Sequence, residues 1–186
     1  MAEAVRYRPP VTVGELDTLE HETQVRHELV DGIAYAMVGG SADHGAIVNG
    51  IVMAFGRRLS LPCQVFSAST RLMIRGKLAD DYLYPDVMVS CDPADRAKGH
   101  RERPVLLAEV LSPSSMVTDR DTKFARYRSV PSLEYYLLVA QDRAAVEVFS
   151  RAGGWRNRRL GPQDTLDLPA LSLSLPVREF YAQVDP

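Results

Sequence analysis

Val105-Leu106-Leu107-Ala108-Glu109-Val110-Leu111 is an apolar run interrupted at one position. Its length and branched residues suit a central β-strand buried on both faces. Glu109 then needs a reason to be there. An ionised carboxylate taken out of water without a partner costs several kcal/mol, so it is paired, hydrogen-bonded, protonated or metal-bound. On this strand alone, a structural ion pair accounts for it about as well as a functional site does.

A second carboxylate shifts that balance. Asp86 lies within Tyr82 to Ser90, which reads as a second apolar strand, and it follows Pro85. Proline sits at strand edges and bulges, where a missing ladder donor is tolerated and an irregular backbone can aim a side chain. Magnesium takes oxygen ligands and keeps several waters, so Asp86, Glu109 and a backbone carbonyl from Val110 make a sufficient protein contribution, and manganese can take its place. Lys123, on the helix read from about Asp119 to Ser129, can reach back toward the end of the Glu109 strand. There it would orient a metal-bound water or neutralise charge on a phosphate. Standing alone, Lys123 would be an ordinary surface lysine.

Outward from these strands, the chain alternates helices and strands. Thr12 and Glu15 have the spacing of a capping box and open a helix through about Glu20. His27-Glu28-Leu29-Val30 and Ile33 to Met37 flank Asp31-Gly32, a hairpin turn signal. Ile47, Val48, Ile51, Val52, Phe55 and Leu59 recur at three and four residues and form one face of a core-packing helix. Short strands follow at Gln64 to Ser67, Thr70 to Arg75 and Pro104 to Leu111. Phe124 and Tyr127 share one side of the next helix, for which Thr118 and Asp121 offer an N-cap pair. Beyond it, Leu133 to Ala140 and Ala144 to Ser150 read as paired strands, Trp155 to Leu160 as another, and Val177 to Gln183 as a closing helix. The pattern predicts an α/β (α+β) fold, a mixed β-sheet core flanked by helices, in one domain over residues 1–186.

Composition narrows the function classes. With 46% hydrophobic and 25% charged residues among 186, the chain is of ordinary globular make-up. A formal net charge of -2 argues against coating nucleic acid by bulk electrostatics. Four local clusters soften that: Arg71, Arg75 and Lys77; Arg96, Lys98, Arg101 and Arg103; Arg120, Lys123, Arg126 and Arg128; and Arg156, Arg158 and Arg159, although charge runs are most often solvated faces. Cys63 and Cys91 match no zinc spacing and are expected as separate reduced thiols. MAEAVRYRPP has no apolar run after its charges, so neither a signal peptide nor a membrane span is expected, and a cytoplasmic location is. No G-x-S-x-G elbow and no phosphate-loop or dinucleotide fingerprint is present.

Pro85-Asp86 followed by Glu109-Val110-Leu111 resembles the PD-(D/E)xK signature of the restriction-endonuclease superfamily, with Leu111 where the lysine should stand. The wider pattern is Tyr84-Pro85-Asp86-Val87, Glu109-Val110-Leu111-Ser112-Pro113-Ser114, Asp119-Arg120 with Lys123 and Tyr127, then Glu134-Tyr135. It resembles the bacterial Uma-two family, grouped with restriction endonucleases, over nearly the whole chain. The resemblance implies that the catalytic lysine has moved to the following helix, here Lys123. It also implies an active-site role for Glu28, in Glu28-Leu29-Val30-Asp31-Gly32, and a place near the site for His44, although a lone histidine at a helix start is more often a cap. The implied reaction is metal-dependent hydrolysis of phosphodiester bonds in nucleic acid, DNA in the first instance. Arg71, Arg120 and Arg126 would hold backbone phosphates, and a homodimer would suit cutting of both strands. Rival readings are a fold relative that binds nucleic acid or a protein without cutting it, a glycosidase using the two carboxylates, and a structural domain.

Overall fold

Residues 11–37, 39–76, 79–95, 99–112 and 119–184 are described by a computed structural model of the chain. Thr118 of the expected N-cap pair lies outside them, as do Pro113 and Ser114 of the family pattern. By their contacts the described residues fall into two compact units, one within Met1–Val38 and Met73–Leu83, the other within Gly39–Leu72 and Tyr84–Pro186.

In the first unit α1 (Val13–Thr23) opens on the capping box: Glu15 N–H donates to Thr12 Oγ1, and Thr12 N–H donates to Glu15 Oε2 at 2.7 Å. Strands β1 (His27–Val30) and β2 (Ile33–Ala36) form an antiparallel hairpin. Its turn places Asp31 at φ 51° and Gly32 at φ 76°, the left-handed conformation that the Asp-Gly pair tolerates. With β4 (Leu72–Ile74) and β5 (Asp81–Leu83) the hairpin makes a four-stranded sheet in the order β2-β1-β5-β4. Leu16, Leu29, Met73 and Tyr82 form its core.

The second unit is built on a six-stranded mixed sheet, β10-β9-β8-β7-β6-β3, of β3 (Gln64–Ser67), β6 (Val87–Ser90), β7 (Pro104–Leu111), β8 (Tyr135–Ala140), β9 (Val146–Ser150) and β10 (Asn157–Leu160). Only β7 and β8 run parallel; the other neighbours are antiparallel. α2 (Ala42–Gly56) lays Ile47, Val48, Ile51 and Phe55 on one sheet face, against Leu106, Ala108, Val110, Leu137, Val139 and Val148. Over the other face runs a five-residue π-helical turn, Asp119–Lys123, continued by α3 (Phe124–Tyr127). Phe124 stacks there on Tyr136 and packs against Phe149 and Trp155. A two-stranded ribbon of β11 (Thr165–Leu168) and β12 (Leu173–Pro176) and a 3-10 turn, Val177–Tyr181, close the unit.

Two expectations are corrected. Tyr82 to Ser90 is not one strand: β5 belongs to the four-stranded sheet and β6 to the six-stranded one, with Tyr84-Pro85-Asp86 between them. Pro85 has no N–H to give a ladder, so a break there costs no backbone bond. Cys63 and Cys91 are not separate thiols but a disulfide. Gln64 of β3 stands opposite Ser90 of β6, which brings Cys63 opposite Cys91 one position further on, a closeness that 28 residues of separation conceal.

Candidate functional site

The antiparallel pairing of β6 and β7 reaches Val87 opposite Ala108, and the next residues outward are Asp86 and Glu109. Each carboxylate is fixed by a backbone N–H of the other's segment. Asp86 Oδ2 accepts the N–H of Val110 at 2.8 Å, and Glu109 Oε2 accepts the N–H of Asp86 at 3.2 Å. The irregular Tyr-Pro-Asp segment is what allows this: a regular strand would commit the Asp86 N–H to a ladder. Glu109 is 2% exposed.

Lys123 is buried rather than a surface lysine, and its ammonium lies 3.3 Å from Glu109 Oε1 and 3.4 Å from Asp119 Oδ1. The π-helical turn puts Asp119, Lys123 and Tyr127 on the side facing the sheet, where all three are buried. Such widened turns recur at functional sites. The Tyr127 hydroxyl donates to Glu109 Oε1 at 2.7 Å, and the Tyr136 hydroxyl to the Asp119 carbonyl at 3.0 Å. Burial, aided by the nearby charges of Glu109, Asp119 and Asp86, pushes the Tyr136 phenol well above its ordinary range, so it stays a donor.

His44, on the first turn of α2, places Nε2 3.1 Å from Asp86 Oδ2. That hydrogen bond holds the imidazole above its ordinary value against the opposing effect of burial, and the charges of Asp86 and Asp119 and the backbone of Val110 add to it. His44 therefore contacts the site instead of serving only as a helix cap; the cap itself is Ser41, whose Oγ accepts the His44 N–H.

Asp86, Glu109, Val110, Lys123 and His44 are thus brought together. Glu28 lies in the first unit, half-buried on β1 opposite Tyr35. Arg71 donates to the Tyr84 hydroxyl at 2.7 Å, and Arg126 is half-buried on α3. Arg120 forks onto Glu147 at 2.7 and 2.9 Å, which raises the arginine's pKa and lowers the glutamate's. Two partners had no site role in the sequence reading: Tyr127, named there only on a helix face and in the family pattern, and Glu147. An aromatic at helical spacing reads as core, and Val146-Glu147-Val148 reads as an ordinary half-exposed strand.

No group of three or more His, Cys, Asp or Glu side chains suited to a metal ion is present among the described residues. The donor set still fits a hard cation. Two carboxylates just beyond the β6–β7 pairing, with the Val110 main chain beside them, are all-oxygen and few, as suits an ion that retains its waters.

Comparison with known proteins bears on the family and the fold. The family model Uma2, described as "Putative restriction endonuclease", matches residues 13–178. An uncharacterized protein of Synechocystis sp. is 32% identical over 177 residues, 93% of this chain and 92% of that protein. A second from the same organism is 31% identical over 151 residues, 77% and 82% of the two. The fold matches a crystal structure described as "a putative nuclease belonging to DUF820 from Anabaena variabilis ATCC 29413", with a TM-score of 0.74 and 17% identity, over 93% of this chain and 98% of that one. The fold is restriction-endonuclease-like, and with the family match spanning most of its length the chain belongs to the Uma2 family.

Proposed function

We propose that this protein is a metal-dependent endonuclease that hydrolyses phosphodiester bonds in nucleic acid, DNA in the first instance. The observation that carries the reading is the meeting of Asp86, Glu109 and Lys123 at the ends of β6 and β7, from three separate chain segments. Asp86, Glu109 and the Val110 carbonyl would hold a magnesium or manganese ion. When bound, that ion supplies positive charge to the phosphate and lowers the pKa of an attacking water. Lys123 directs its ammonium at the same point, to orient the water or to balance charge on the phosphate. Tyr127 and the Asp86 N–H fix the two oxygens of Glu109, and His44 fixes Asp86.

Arg71 and Arg126 are proposed as phosphate contacts, as is Arg120 once its pairing with Glu147 is taken into account. For Glu28 the role rests on the family resemblance alone, and Glu28→Gln in the same assay tests it. The family match runs through residues of both compact units, which supports one nuclease-like domain over residues 1–186. Cutting of both strands favours a homodimer as the working form.

The test is cleavage of supercoiled plasmid and of labelled single strands by purified protein with magnesium, manganese or EDTA, beside Asp86→Ala and Lys123→Ala. Cutting that needs metal and disappears in both folded variants is the expected result. A wild-type protein that binds DNA without cutting it under any metal would favour the non-catalytic reading.

A further inference from the structure

One row of residues crosses the six-stranded sheet from the site to its edge. Glu109 on β7 stands opposite Leu138 on β8, Leu138 opposite Glu147 on β9, and Glu147 opposite Arg159 on β10, the edge strand. Adjacent strands are about 4.8 Å apart, so the row covers roughly 14 Å. The segment from Asp119 to Tyr127 bridges part of it: Lys123 reaches Glu109, and Arg120, three residues earlier, reaches Glu147 two strands away.

Glu147 is buried and gathers several donors. Besides Arg120 it accepts Asn157 Nδ2 at 2.6 Å, and Arg159 Nε lies 3.7 Å from its Oε1. Two guanidiniums around one carboxylate leave one positive charge in excess. The Arg159 side chain is 80% exposed, so its guanidinium leans on Glu147 at one end and faces solvent with the rest. Guanidinium groups oriented in this way, with donors to spare, match a phosphate. Arg158 is the next residue on β10 and projects from the opposite sheet face.

We propose that Arg159, oriented by Glu147 together with Arg120, binds a backbone phosphate of a nucleic-acid strand that extends over the surface from the Asp86–Glu109 site toward the β10 edge. At about 3.4 Å of helix axis per nucleotide, and more in an extended strand, the phosphate lies roughly two to four nucleotides from the bond to be cut. The contact is made to the backbone and reads no sequence. It rests on the reading of the substrate as nucleic acid.

The experiment is fluorescence anisotropy of labelled single-stranded and duplex oligonucleotides with the full chain, in EDTA so that no cutting intervenes, over a series of salt concentrations. Arg159→Ala is expected to weaken binding roughly three- to tenfold, equally across sequences, and to reduce the slope of log affinity against log salt by about 0.7–0.9. Arg159→Lys should keep the slope, and Arg158→Ala should match the wild type in both. An Arg159→Ala protein that binds like the wild type overturns the proposal, as does an equal loss in Arg158→Ala. Plasmid cleavage separates the two readings. If the wild type cuts and Arg159→Ala binds normally, the phosphate site alone falls; if binding depends on Arg159 and nothing is cut, the catalytic reading falls and the phosphate site stands; if the wild type binds no strand, both fall.

Discussion

Truncating Lys123 to alanine takes away a single cation that lies 3.3 Å from a glutamate itself 2% exposed and 3.4 Å from buried Asp119. Breaking a buried pair in this way costs about 3–5 kcal/mol, so Lys123→Ala is expected to lower the urea midpoint clearly, and its cleavage assay has to be read beside its folded fraction. Tyr127→Phe is the milder probe. It removes one donor from Glu109 Oε1, for roughly 1–3 kcal/mol, and steady-state kinetics of the folded variant should show kcat falling more than KM rises. A change in KM alone would mean that the hydroxyl does not place Glu109 for chemistry. Asp86 and Glu109 were legible in the sequence because carboxylates stand out in apolar strands. Lys123 was legible only through its neighbours, since nothing local distinguishes it from a solvated lysine. The burial of Glu147 was not legible, because it follows from the segment that carries Arg120 across the sheet.

Elements bring their own expectations. A methyl group on Gly50, in the middle of α2, would run into the carbonyl of Phe180 in the closing 3-10 turn. Gly50→Ala should therefore cost about 1–3 kcal/mol despite the better helix propensity of alanine, visible as a lower melting temperature. The tie between the π-helical turn and β9 depends on pH. Arg120 lowers the Glu147 pKa from its ordinary value of 4.5, so this pair stabilises the fold at pH above the unfolded-state value and loses its contribution as pH falls through the lower folded value. Arg120→Ala is expected to lose stability at neutral pH, on the order of 1–2 kcal/mol for a pair that is only partly buried. Chemical denaturation of both proteins should show that difference shrinking below about pH 4. The capped helix, the Asp-Gly hairpin and β7 were readable because each is specified locally. The division of Tyr82 to Ser90 between two sheets was not, since β5 and β6 look alike in composition and differ only in their partners. Thr165 to Pro176 likewise gave no sign of being a paired ribbon.

For the molecule as a whole, a ligand that binds only the native state stabilises it by mass action, by about 2.7 kcal/mol at a hundred times its dissociation constant. Magnesium or manganese should therefore raise the melting temperature of the wild type, and Asp86→Asn should abolish that rise whether or not any substrate is cut. A melting temperature indifferent to both metals would leave the two carboxylates as a structural pair. The mixed α+β class could be read from alternating helix and strand signals, but the grouping of strands into a four-stranded and a six-stranded sheet could not, because it depends on partners far apart in the chain. No described helix is long and apolar enough to cross a membrane. The parallel pairing of β7 with β8 has a further consequence. Parallel neighbours cannot be joined by a tight turn, so the chain leaving Leu111 must travel back along the sheet before it enters Tyr135. That return journey is compulsory for the architecture, and it carries Lys123 past the carboxylate of the strand just left. On the proposed nuclease reading, a missing lysine two residues after the glutamate is then no gap, because the topology itself offers a substitute, and a search that fixes the distance between motif letters would overlook a chain in which the return path, rather than the strand, supplies the cation.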